Sequence, residues 1–486
     1  MILMQTFANL VSSVDGIIWS MALVILCLAV GLYLSIRMKF PQVRLIGEMV
    51  RLLVKGEKSD SGITPFQAFA ATVGARVGMG NVAGVATAIF AGGPGAVFWM
   101  WLIAFIGASS AFTEATLGQA YKTTDASGQY IGGPAHYIQK AIHCRPFALA
   151  FAAAAVIGPG ILMPGVQINS LVSVFDEAFH VNTVVVAAIS CVVLAVVICG
   201  GIKRIAKFAE LLAPVMCVIY VLMALGVLVV NITKVPAALA LIISSAFGIR
   251  PLFAGIVGSA ISLGVRRGIY SNEAGMGCGA IVSAAAESSH PAKQGLVQAF
   301  SVYVDTLIIC TCTALTILLT GIYNVQDSAG NLLVNNAGDL EAGIRWTQHA
   351  FMSVYGNWIG KVLAVIIVLF VFTSMLGYFY QAEVNTNYLT HDSHTAKWVI
   401  RIIFVLASFS GCLINADVLW NLGDIGYGLM AWFNIIAIVI LAPKAAEILR
   451  DYEKQKKAGK DPVFDPSKFG IADEKGVWDR YRNPEN

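Results

Sequence analysis

Long apolar runs separated by short polar ones set the frame of this chain. Residues 17–36 form the first such run, long enough at ~1.5 Å per residue to cross the ~30 Å hydrocarbon core of a bilayer. Comparable runs follow at 66–91, 96–120, 147–174, 184–199, 211–230, 252–286, 296–319, 362–381, 398–414 and 419–442. The pattern predicts an all-α polytopic membrane protein with about eleven crossing helices. Positive charge then orients them. Arg37, Lys39, Arg44, Arg51, Lys55 and Lys58 follow the first run, and Lys122, Lys140, Arg145, Lys203, Arg204, Lys207 and Lys293 recur at alternate ends. Because Lys and Arg collect in cytoplasmic loops, the N-terminus is expected outside and the charged tail, 444–486, inside. Lys234, Arg250, Arg345 and Lys361 lie on or near the other side and weaken the bias without reversing it.

Two of the runs are interrupted in their middles. Residues 72–84 read TVGARVGMGNVAG and residues 265–277 read VRRGIYSNEAGMG. Glycine orders at the highest backbone entropy cost and weakens a helix. A full charge at membrane depth must be paired or line a polar cavity, and Arg76 and Glu273 are such charges. The chain therefore divides into an extra helix and basic loop (1–60), a five-helix set (61–235), a second set (236–443) and the tail. Two sets of odd number run in opposite orientation, and each opens on an interrupted helix. Paired broken helices in corresponding places of two halves point to a transporter's binding site, where freed backbone groups face an ion and a solute.

Composition narrows the alternatives. The chain is 57% hydrophobic and 12% charged, against about 25% charged in soluble proteins. A net charge of +4 is too small, and too clustered in loops, to argue for a nucleic-acid surface. The cysteines sit mostly in apolar runs as small hydrophobes, and Cys310-x-Cys312 lacks the spacing of a zinc or redox pair. The histidines show no metal spacing. Glu287-Ser288-Ser289-His290 matches a hydrolase triad only in composition, so neither an enzyme nor a cofactor is expected. Gly78-Met79-Gly80-Asn81 has neither the preceding strand nor the later acidic residue of a dinucleotide loop. The apolar helices argue against a continuous polar pore, and hence against a channel. The first run has neither a basic leader nor a strong cleavage site, and is expected to be a retained helix.

VGMGNVAGVATAIF, GGPGAVFWMW and RRGIYSNEAGMG together resemble the alanine or glycine:cation symporter family, over roughly residues 66–443. The resemblance implies a LeuT-type fold of two inverted five-helix repeats and sodium-driven uptake of a small neutral amino acid across a bacterial inner membrane. It implies that amides near Met79 and Gly80 hold the substrate carboxylate, since half-helix N-termini favour anions. Asn81, Gln167, Ser271, Asn272, Met375 and Tyr378 would line the rest. Carbonyls of Gly74 and Val77 with hydroxyls of Thr373 and Ser374 would hold sodium; by themselves those hydroxyls would more often bond back to their own helix. The chain departs from the family's usual residues at Met79, Met163 and Tyr378. A pocket capped by Met79, Met375 and Tyr378 suits alanine or glycine, with glutamine and proton coupling through Glu273 or Glu114 as the alternatives. Glu273 is the expected partner of Arg76, with Glu114 and Glu383 as substitutes and snorkelling into a vestibule as the competing account. Arg76 would stand where related symporters hold a first sodium, leaving one sodium site. Arg266 and Arg267 are expected in a wet cavity or at a surface.

Overall fold

The computed structural model describes residues 2–54, 62–473 and 475–482. Lys55, Lys58 and the side chain of Lys203, expected to mark one membrane face, lie outside the described residues. The principal helices are α1 (Ile2–Ile18), α2 (Met21–Arg37), α3 (Pro65–Arg76), α4 (Val85–Gly92), α5 (Gly95–Ala120), α6 (Arg145–Ile157), α7 (Pro164–Phe179), α8 (Thr183–Ile198) and α9 (Gly201–Val230). They continue as α10 (Val235–Ala246), α11 (Val257–Asn272), α12 (Cys278–Ala284), α13 (Pro291–Val302), α14 (Thr311–Thr320), α15 (Ile344–Tyr355), α16 (Trp358–Thr390), α17 (His394–Phe409) and α18 (Ala416–Lys457). Two small antiparallel hairpins, Thr123–Thr124 with Tyr130–Ile131 and Asn324–Gln326 with Leu332–Asn335, complete it.

Eight helices among the described residues are long and apolar enough to cross a membrane, and the bent pair around residues 77–79 makes nine. The chain is an integral membrane protein. The expected eleven also counted 184–199 and 252–286, where α8 and α11 are 16 residues each and too short to be counted. The N-terminal reading needs correction, because the helix begins at Ile2 rather than near residue 17. Ser12, Ser13 and Asp15 hid it as polar punctuation, yet Asp15 is buried against a cation. The polar segment 323–347 holds a hairpin and the buried start of α15.

Local chemistry accounts for both interruptions. Pro65 opens α3, and Thr64 closes a capping box with Gln67, its hydroxyl accepting from Gln67 N at 3.1 Å. The helix stops at Val77, and Gly80–Gly84 resumes it as a π turn, bent by 50°. The second interruption uses positive backbone angles: Glu273 at φ +54°, Gly275 at +87° and Gly277 at +90°. Only glycine adopts the last two without strain. Between the interruptions the packing is close. A Cβ on Gly377 would collide with Ala75, so α3 lies directly on α16.

Candidate functional site

At the first interruption the helical ladder is cut and its carbonyls are released. Gly78 N–H, which would have donated to Gly74, donates instead to Asn81 Oδ1 at 2.9 Å, and Asn81 N–H donates to Gly78 O at 3.2 Å. Gly74 O and Val77 O are thereby freed, and Ser374 Oγ from α16 donates to both, at 3.2 and 3.5 Å. Gly78 has to be glycine, because a Cβ there would overlap Ser374 Oγ. Three neutral oxygens converge at this point, a hard donor set that suits a hard monovalent cation. Thr373 stands apart from them. Its hydroxyl donates to Leu369 O at 2.9 Å, within its own helix. Its methyl-bearing face packs on Gly74.

One residue further, Met79 N–H donates to Gln167 Oε1 at 3.4 Å, and Gln167 Nε2 donates to Tyr378 OH at 3.1 Å. Gln167 is fully buried, so a backbone amide at the broken end, an amide side chain and a phenol form one enclosed chain. Met375 is buried in the same turn of α16 as Ser374. The two interruptions touch at Gly80, where a Cβ would lie 3.1 Å from Ser271 Cα.

Asp305 joins them chemically. Its carboxylate accepts from Asn81 Nδ2 at 2.6 Å, Ser271 Oγ at 2.8 Å and Thr306 Oγ1 at 2.8 Å, and Asn272 Nδ2 donates to Thr306 at 3.1 Å. Asn81, Ser271 and Asn272 therefore serve this carboxylate. Sequence reasoning missed Asp305, although the signal was present: it is the one acidic residue inside the apolar run 296–319, and charges at that depth mark ion paths.

Arg76 is 2% exposed and does not reach a vestibule, so the snorkelling account fails. Its Nη1 donates to Ser301 Oγ at 2.5 Å and to Gln298 O at 3.3 Å, and its Nε lies 4.0 Å from Glu273 Oε2. Tyr427 OH donates to the other Glu273 oxygen. Glu383 is engaged elsewhere, with Arg401 at 2.9 Å. Glu114 accepts from Gly277 N–H at 2.9 Å and Asn434 Nδ2 at 2.8 Å. Arg266 is mostly buried, and Arg267, although buried, lines an open cavity with Asp417, Trp420 and Asn421, in keeping with the wet cavity expected for it. Arg266 pairs with Asp15 at 2.5 Å and with Asp424, while Arg267 pairs with Asp424 at 2.9 Å and lies 4.6 Å over the Trp420 ring. Asp15 and Asp424, which are not close to one another in the sequence, are what the hydropathy pattern could not supply. Among the described residues no three His, Cys, Asp or Glu side chains gather as they would around a metal ion.

Comparison with known proteins places the chain as a whole. The sodium:alanine symporter family matches residues 4–466. A Bacillus subtilis carrier named for sodium/proton-dependent alanine transport is 47% identical over 467 residues, covering 96% of each chain. A second B. subtilis relative, named for sodium/glutamine symport, is 42% identical over 462 residues, covering 95% of this chain and 94% of its own. Among solved structures, a variant of the Eremococcus coleocola manganese transporter superposes with a TM-score of 0.52 at 11% identity, over 86% of this chain and 93% of that one. That likeness concerns the fold.

Proposed function

The chain belongs to the sodium:alanine symporter family, a family of transporters and not of enzymes, and from that premise we propose that it couples sodium entry to uptake of alanine or glycine. A cation-coupled amino-acid symporter is the plain consequence of membership; sodium as the ion and a small neutral amino acid as the solute are the proposal. The observation that carries it is the release of Gly74 and Val77 carbonyls opposite Ser374, one turn from the Met79 amide and Gln167.

Sodium would be held by those three oxygens, with Thr373 joining only if its hydroxyl turned from Leu369. The substrate carboxylate would meet the amides at Met79 and Gly80. Gln167, Tyr378 and Met375 would bound its small side chain, with Asn81, Ser271 and Asn272 supporting through Asp305. Each ligand would favour the same conformer, so their binding free energies reinforce one another. We read the helices as an extra span plus two inverted five-helix repeats of the LeuT type, 61–235 and 236–443, which counts α8 and the pair α11–α12 as spans. The N-terminus would lie outside and the tail in the cytoplasm of a bacterial cell.

Arg76, paired with Glu273, would take the electrostatic place of a second sodium, leaving one per substrate. A second reading rests on Asp305, whose carboxylate is met only by neutral donors and would welcome a cation. Uptake by the purified protein in liposomes tests all of this, with a sodium or a proton gradient, a competing panel of amino acids, and the sodium-to-alanine ratio. Sodium-driven uptake blocked by alanine and glycine, at one sodium each, is expected. A ratio of two would transfer the argument to Asp305; glutamine as the strongest competitor, or proton drive without sodium, would overturn the substrate or the ion.

A further inference from the structure

The helix that supplies Asp305 carries more buried polarity than the sodium and substrate contacts use. Gln294, Gln298 and Ser301 follow one another at steps of four and three residues on one face of α13, and Asp305 lies just beyond it in the π-helical continuation Tyr303–Cys310. All four are fully buried. Neither amide atom of Gln294 has a hydrogen-bond partner among the described residues, and Gln298 Nε2 has none. This face packs on α5, where Gly295 permits contact with Phe112 and Thr116, and Thr116 Oγ1 is also without a partner. The file ends beside Glu114. A Cβ on Gly279 would lie 2.9 Å from Arg76 Nη2, 3.3 Å from Glu114 Oε1 and 3.8 Å from Gln298 Oε1, so these three groups converge on one small space that only glycine leaves open.

The carboxylates here are not equivalent. Glu273 has Arg76 within ion-pair reach and the Tyr427 hydroxyl. Asp305 has three donors. Glu114 is fully buried, pairs with no cation within 4.0 Å among the described residues, and keeps Oε1 without a partner. An ionised carboxylate so placed is costly unless it is neutralised. Its other oxygen is tied to the second interruption, through Gly277 N–H and through Asn434, which also donates to Gly275 O and accepts from Tyr137.

We propose that Glu114 is a proton-binding site, loaded on Oε1 along the Gln294–Gln298 file from the tail-side end of α13, and that its proton is exchanged as the second interruption rearranges. The step is simple: a proton from water adds to Oε1, turning carboxylate to carboxylic acid, and leaves the same way. The charged and titratable groups that face it are Arg76 from α3, Glu273 and Cys278 at the second interruption, and Tyr137 through Asn434. The proposal rests on the transport reading for its sidedness only.

Infrared difference spectroscopy of the full-length protein in liposomes, stepped in pH with no substrate present, tests it. The expected result is a deuterium-sensitive carboxylic C=O band that titrates in the wild type, is lost in Glu114→Gln and returns shifted in Glu114→Asp. In the same vesicles sodium-driven alanine uptake should fall about tenfold per pH unit on its alkaline limb, and lie flat in Glu114→Gln. A titrating band unchanged in Glu114→Gln, or no such band in the wild type, overturns the proposal. Because the spectra need no substrate, absence of alanine uptake would strike the transport reading and leave the band to judge this one. Should Glu114→Gln fail to fold, the wild type and Glu114→Asp decide it by the presence or absence of a titrating band and its shift.

Discussion

Ser374 and Thr373 show how finely one helix turn discriminates. They are adjacent, both hydroxylated and both buried, and the sequence offers no reason to separate them. Geometry does: Ser374 faces the freed carbonyls of α3, whereas Thr373 is satisfied by Leu369. Losing a hydroxyl that contacts a charged ligand costs about 1.5–3 kcal/mol. Ser374→Ala should therefore raise the sodium concentration for half-maximal uptake roughly 10- to 100-fold. Thr373→Val, which removes a hydroxyl that its own helix already occupies, should shift it by less than about threefold. Sodium titration of uptake checks both, and equal shifts would bring Thr373 back beside the ion. The same scale explains what was legible. Arg76, Asn81 and Glu273 stood out because polar groups in apolar runs are conspicuous. Asp305 and Asp424 were equally conspicuous by type, but no glycines surrounded Asp305 to draw attention. Which donors each carboxylate would collect is a matter of three-dimensional proximity that spacing does not encode.

Elements reveal how the interruptions are held at their ends. Ile63 N–H donates to Ala285 O at 3.1 Å and Glu287 N–H to Ile63 O at 2.9 Å, so the segment entering α3 is bridged to the exit of α12. The tail folds back onto this bridge: Phe464 N–H donates to Ser289 O at 2.9 Å, Ser289 Oγ donates to Pro462 O at 2.9 Å, and Lys293 pairs with Asp461 at 2.9 Å. A second clasp sits at Glu48, in the helix Ile46–Val54. Against the cost of burial, hydrogen bonds from Arg51, Tyr452 and Lys456 hold its carboxyl down to about 2. A lowered carboxyl stabilises the folded contact above its unfolded value of about 4.3, and that contribution disappears as pH falls towards 2. The protection of amides near the end of α18, taken relative to their intrinsic exchange at each pH, should therefore be steady above about pH 5 and fall between about 4 and 2. Glu48→Gln should remove that step; an unchanged step would assign the acid sensitivity to another group. None of this was visible in the sequence, where the tail read only as charged and inside. Its buried Phe464 and Trp478 are single aromatics among polar residues and give no periodic signal.

Over the whole molecule, hydropathy predicted a multi-span helical membrane protein because that signal is summed over some twenty residues per crossing and tolerates local error. It missed α1, where Ser12, Ser13 and Asp15 interrupt the apolar run and pairing with another helix replaces apolarity. Asp15 of α1 meets Arg266 of α11, and α18 supplies Asp424 to both arginines of that helix. The two interruptions meet at Gly80 and Ser271 in the middle of this assembly, and the function we propose depends on their forming one chamber for a cation and a zwitterion. Such sharing has a thermodynamic signature, because coupling between two ligands is reciprocal. Equilibrium binding of alanine and sodium to the purified protein measures it directly. Sodium should tighten alanine binding, alanine should tighten sodium binding by the same factor, and Ser374→Ala should weaken sodium binding at every alanine concentration. Alanine binding with an affinity indifferent to sodium would contradict the shared chamber.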